Sequence, residues 1–135
     1  MGLTHVTVSL KAFPLATEAY EARFLVDTGS MDCMVSAREL HRIGVTPMGR
    51  RMYELADGTR REYDSGPAQI EFLGEVTFGA VIFGPDNAER ILGVTGLESA
   101  GFAVDPTTQT LRRLPAVPLK TAVHLREARC PWPVC

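Results

Sequence analysis

The sequence predicts a mostly β, single-domain protein, and three observations carry that prediction. Apolar and polar residues alternate in short runs along most of the chain. Tight-turn pairs such as Asp57-Gly58 and Leu73-Gly74 separate those runs. Helix-boundary signals occur at only two places, and both enclose short segments. Strands at this spacing, with little helix between them, indicate an all-β architecture rather than βαβ units.

Val6, Val8 and Leu10 alternate with Thr7 and Ser9, so residues 4–10 read as a half-buried strand. Phe13-Pro14-Leu15 breaks it, and Ala16-Thr17-Glu18 reads as a turn. Strand character resumes from Tyr20 to Val26. The unbroken Phe24-Leu25-Val26 fits a strand covered on both faces. Met31 to Val35 is a short extended piece. Ser36-Ala37-Arg38-Glu39 matches a capping box and Gly44 is a good stop, which predicts a short helix over 37–43.

Residues 50–63 predict a charged hairpin around Asp57-Gly58, because an Asp-Gly turn supplies the positive φ a tight hairpin needs. Asp64-Ser65-Gly66-Pro67 reads as a further turn. Ala68, Ile70 and Phe72 alternate, as do Val76, Phe78, Ala80 and Ile82, with a turn at 73–75. Gly84-Pro85-Asp86-Asn87 breaks the chain. Ile91-Leu92-Gly93-Val94 is a short apolar strand. Thr95-Gly96-Leu97-Glu98 matches a second capping box and Gly101 ends its helix. Phe102–Val104 and Thr110–Leu114 flank a turn at 105–108. Four prolines after Leu114 predict an extended tail over 116–135, separate from a domain spanning 1–115.

Composition narrows the function classes. The 135 residues can bury a real core, and 45% apolar with 22% charged is ordinary for a globular chain. A net charge of −2 gives no general attraction to nucleic acid or anionic lipid. No run approaches the ~20 apolar residues of a membrane span. Met1 to Val6 shows neither a secretory pattern nor a myristoylation pattern. Cys33, Cys130 and Cys135 do not form a paired framework, so a reducing cytoplasm is expected. These cysteines and His5, His41 and His124 lack metal-ligand spacing, and neither a metal nor any other cofactor is expected. Cys33 reads as a small buried hydrophobe. A disulfide between Cys130 and Cys135 stays open as an alternative to an unbridged tail.

The stretch with chemical content is Phe24-Leu25-Val26-Asp27-Thr28-Gly29-Ser30. An apolar strand ends on a carboxylate, and two hydroxyl residues and a glycine follow. A partly buried acid needs hydrogen-bond donors, and this turn provides them. Carboxylate-driven peptide hydrolysis needs two acids, one to accept a proton from water and one to protonate the carbonyl. The chain holds one such motif. Asp64-Ser65-Gly66 is a weak internal candidate, since no apolar strand leads into it. A second copy of the chain is the better source, because a two-fold axis sets each Asp27 beside its own image.

Together with Ile91-Leu92-Gly93 and the short helix after it, this stretch resembles the single-domain retropepsin-like aspartic proteases of bacterial and archaeal type. The resemblance covers roughly residues 4–115, including Gly101-Phe102-Ala103-Val104-Asp105-Pro106. It implies a closed β-barrel of the acid-protease fold with one or two short helices. It also implies an aspartic endopeptidase, active as a homodimer on a peptide or protein substrate. Asp27 would be catalytic. Thr28 would bond its counterpart in the partner chain, Gly29 would offer backbone groups to substrate, and Ser30 would bond the Asp27 carboxylate. Leu55, Ala56, Asp57, Gly58 and Thr59 would form a flap, and Ile91, Leu92 and Gly93 the active-site floor. The flap is more charged than is usual in the family. The alternative reading is a catalytically silent dimerisation or peptide-binding module on the same fold.

Overall fold

The computed structural model describes residues 4–117, and within them the chain folds around a closed six-stranded β-barrel with two short helices. The barrel strands are β1 (His5–Lys11), β2 (Tyr20–Asp27), β3 (Cys33–Ser36), β5 (Arg60–Phe72), β6 (Glu75–Gly84) and β7 (Ile91–Gly93). Their order around the barrel is β1-β2-β7-β3-β6-β5, and β5 pairs back onto β1 through Leu10 and Ile70. Closure leaves these six without a free edge. Strand β4 (Gly49–Glu54) lies outside the ring and pairs only with the first half of β5, from Gly49 opposite Ser65 to Glu54 opposite Arg60. β8 (Phe102–Asp105) and β9 (Thr110–Arg113) form a separate hairpin against the barrel.

The alternation read from sequence places the core. Val8, Leu10, Phe24, Val35, Ile70, Val81 and Leu92 are fully buried inside the barrel, with Leu40 and Leu97 sealing it from the helices α1 (Ala37–Arg42) and α2 (Val94–Ser99). Each such side chain contributes roughly 1.5–3 kcal/mol of burial free energy. Phe72 and Phe102 stack at 5.4 Å between ring centroids and carry the core on to β8.

Several expectations change. Asp64 to Pro67 is not a turn, because β5 runs straight through it. Gly66 is there for closeness: a Cβ on it would lie 2.2 Å from the Thr46 carbonyl oxygen. Pro67 falls between the β5 residues that pair with β4 (60–65) and those that pair with β1 (69–71), so on that side its missing N–H breaks no ladder. The end of β2 is less covered than its sequence suggests, since Leu25 and Val26 are half-buried. Along β6, Val76 and Phe78 face outward and the barrel takes Thr77, whose hydroxyl is 2.7 Å from that of Ser99.

Neither capping box forms. Ser36 makes no side-chain cap because it is buried and held in the β3–β6 ladder opposite Gly84, and Glu39 instead pairs with Arg42 at 3.0 Å. α2 starts two residues earlier than expected, with Thr95 inside it. Its first amides are met by backbone: Val94 N–H donates to the Ser30 carbonyl at 2.8 Å and Thr95 N–H to that of Met31 at 3.1 Å. A helix start satisfied in this way needs no side-chain cap. Of the tail expected over 116–135, residues 118–135, with Cys130 and Cys135, lie outside the described residues.

Candidate functional site

Asp27 closes β2, and Gly93 closes β7 opposite it in parallel register. The two strands stop together, and the chain after Asp27 turns back across the end of β7. That crossing explains Gly93: a Cβ there would sit 2.5 Å from the Asp32 carbonyl oxygen and 2.7 Å from that of Met31. The turn closes with Ser30 N–H donating to the Asp27 carbonyl at 3.1 Å. Both carboxylate oxygens are held. Gly29 N–H donates to Oδ1 at 2.9 Å and the Ser30 hydroxyl to Oδ2 at 3.0 Å. Asp27 stays half-buried, and Thr28 is exposed at the tip of the turn.

A cleft of about 550 Å³ opens beside this carboxylate. The β4–β5 hairpin forms its other wall. Of the residues expected at the site, Asp27, Gly29, Ser30, Leu55, Ala56 and Ile91 line the cleft. Thr28, Asp57, Gly58, Thr59, Leu92 and Gly93 do not. Leu92 is fully buried in the core, so the floor it was expected to form is internal support. The hairpin loop is built as its sequence suggests. Gly58 takes φ +87°, and Leu55 N–H donates to the Thr59 carbonyl at 2.7 Å. Asp57 accepts from the Thr59 N–H at 2.9 Å and from its hydroxyl at 2.6 Å, and these bonds lower its carboxyl pKa. Asp64 is an ion-pair partner of Arg50 (3.0 Å) across the β4–β5 ladder and does not line the cleft.

Two residues lining the cleft, Asp32 and Tyr53, were not expected there. Asp32 is only 8% exposed and is among the residues that line the cleft. The Tyr53 hydroxyl, on the hairpin, donates to it at 2.8 Å. Burial, and then the bond to Asp32, raises the tyrosine pKa. This contact ties the hairpin to the barrel. The available signal was an acid inside the apolar run Met31–Val35, where a buried carboxylate must find a donor. Cys33 beside it is 2% exposed, and burial pushes its thiol up to about 11, which makes it inert. Among the described residues, no group of three or more His, Cys, Asp or Glu is arranged to hold a metal ion, and no helix is long and apolar enough to cross a membrane.

No protein-family model matches the chain, and no curated protein matches it.

Proposed function

We propose that the protein is a retropepsin-type aspartic endopeptidase that works as a cytoplasmic homodimer. The observation that carries this reading is the setting of Asp27. Its carboxylate is fixed at both oxygens, half-buried, at the end of a barrel strand and beside a hairpin-walled cleft. Exposed Thr28 and Met31 flank it and supply surface for a second copy. Two Asp27 carboxyls about 3 Å apart hold one proton between them. The ionised one takes a proton from water as the water oxygen bonds to the scissile carbonyl carbon. The protonated one gives its proton to the carbonyl oxygen. As the tetrahedral diol collapses, one of its hydroxyls returns a proton to the ionised Asp27, the C–N bond breaks, and the amine leaves with the proton of the other Asp27. The peptide lies extended between the hairpin and the Asp27 turn, hydrogen-bonded as an added strand.

The test is hydrolysis of a mixed peptide library from acidic to neutral pH, with sedimentation of the same samples. Asp27→Asn is expected to keep the fold and lose roughly 10⁴-fold in turnover. Retained cleavage, or a strict monomer that cleaves, would overturn the proposal. Binding without turnover at any pH would replace it with the silent peptide-binding reading.

A further inference from the structure

We infer that the cleft selects extended peptides carrying a lysine or arginine side chain, and that Asp32 is the residue that reads it. The inference rests on the proposed use of this cleft for peptides.

The first observation is charge. Asp27, Asp32 and Glu54 line the cleft, and no lysine or arginine does among the described residues. Glu54 has an exposed partner in Arg60, at 3.5 Å. Asp32 is less well met. It accepts from the neutral Tyr53 hydroxyl, and its nearest cation among the described residues is Arg51 at 3.9 Å, with that side chain 66% exposed. Arg51 therefore meets the buried Asp32 only through a long contact from the solvent side. A carboxylate has about four lone-pair sites, and one desolvated with so little compensation attracts a further donor cation. Asp32 is among the residues that line the cleft.

The second observation is the wall around it. Tyr53 and Tyr63 line the same cleft with ring centroids 6.2 Å apart, and Met34 and Ile82 line it as well. Aromatic faces attract ammonium and guanidinium groups. The thioether and the isoleucine offer an apolar track for the methylene stem behind such a head. Acid, aromatic faces and apolar track together match a long cationic side chain. A glutamate of similar length would meet three carboxylates instead.

The competing role for Asp32 is purely structural, as the anchor of Tyr53. The two roles separate because Asp32→Asn keeps an acceptor for the tyrosine and removes the charge. The probes are fluorescent apolar decapeptides carrying one central Lys, Gln or Glu. Their binding is read by anisotropy on the Asp27→Asn protein, and cleavage by the unmodified protein is mapped by mass spectrometry. The Lys peptide is expected to bind about tenfold more tightly than the Gln peptide, with the Glu peptide weakest. Asp32→Asn is expected to bring the Lys-to-Gln ratio close to one, while Tyr53→Phe, which keeps the charge, retains it. Equal binding of the three peptides, or an unchanged ratio in Asp32→Asn, overturns the inference. Cleavage without a Lys preference defeats this inference and leaves the proposed function standing. A Lys preference in binding with no cleavage by the unmodified protein does the reverse.

Discussion

The barrel and the β4–β5 hairpin are built from the same kind of strand and held together by different forces. The barrel is closed, and its interior is apolar with side chains such as Phe24, Ile70 and Leu92 fully buried. The hairpin has almost no core. Met52 is exposed, and arginine-to-carboxylate pairs run across its ladder: Arg50 with Asp64 and Glu62, and Arg60 with Glu54. Exposed pairs of this kind are weak. The hairpin's firmest tie to the barrel is the Tyr53 hydroxyl on buried Asp32. One strand, β5, serves both regions, pairing with β4 over 60–65 and with β1 over 69–71. Burial therefore holds the frame of the site, while its hairpin wall rests on the continuous β5 backbone and on polar contacts to Asp32. Elements with few buried contacts open at low free energy.

The comparison predicts a ladder of effects. Leu92→Ala empties a fully buried position directly before Gly93 and is expected to cost about 2–5 kcal/mol in denaturant unfolding. A cost below about 1 kcal/mol would break the claim that this strand is core. Alkaline pH gives the next effect. The Cys33 thiol is raised from 9.0 to about 11, so the native state holds its proton where the unfolded chain has lost it. The contribution is present below pH 9 and is lost as pH rises toward about 11, to the extent of on the order of 2 kcal/mol. The measurement is the stability difference between the native chain and Cys33→Ala across that window, and a constant difference would refute it. Tyr53→Phe should reduce amide protection in the hairpin by roughly tenfold and leave barrel amides unchanged. Uniform loss of protection would mean that the two regions unfold as one. Arg50→Ala, which removes only exposed pairs, should change global stability by less than about 0.5 kcal/mol.

Much of the frame was legible because it rests on period-two patterning and turn chemistry. Val6-Val8-Leu10 and Ala68-Ile70-Phe72 face the core as their alternation says, and Asp57-Gly58 turns the hairpin. The Asp27 turn was legible because its donors are sequence neighbours. Features set by distant chain were not. Gly66 and Pro67 read as a turn, but the Thr46 carbonyl and the change of partner along β5 decide their roles. The first capping box failed because Ser36 is held in the β3–β6 ladder, and the second because α2's amides found the carbonyls of Ser30 and Met31. Asp32 was overlooked because its partner, Tyr53, lies on another element, and no local spacing encodes that meeting.

The parallel pairing of Asp27 with Gly93 also sets when the site can exist. The carboxylate's strand is made early in synthesis, and its neighbour only after residue 93 has been added. Until then the turn lacks the α2 amides that hold the Ser30 and Met31 carbonyls. Pairings this far apart in sequence form late and slowly. A ribosome-bound chain short of β7 thus carries the acid without the neighbouring strand that fixes its place.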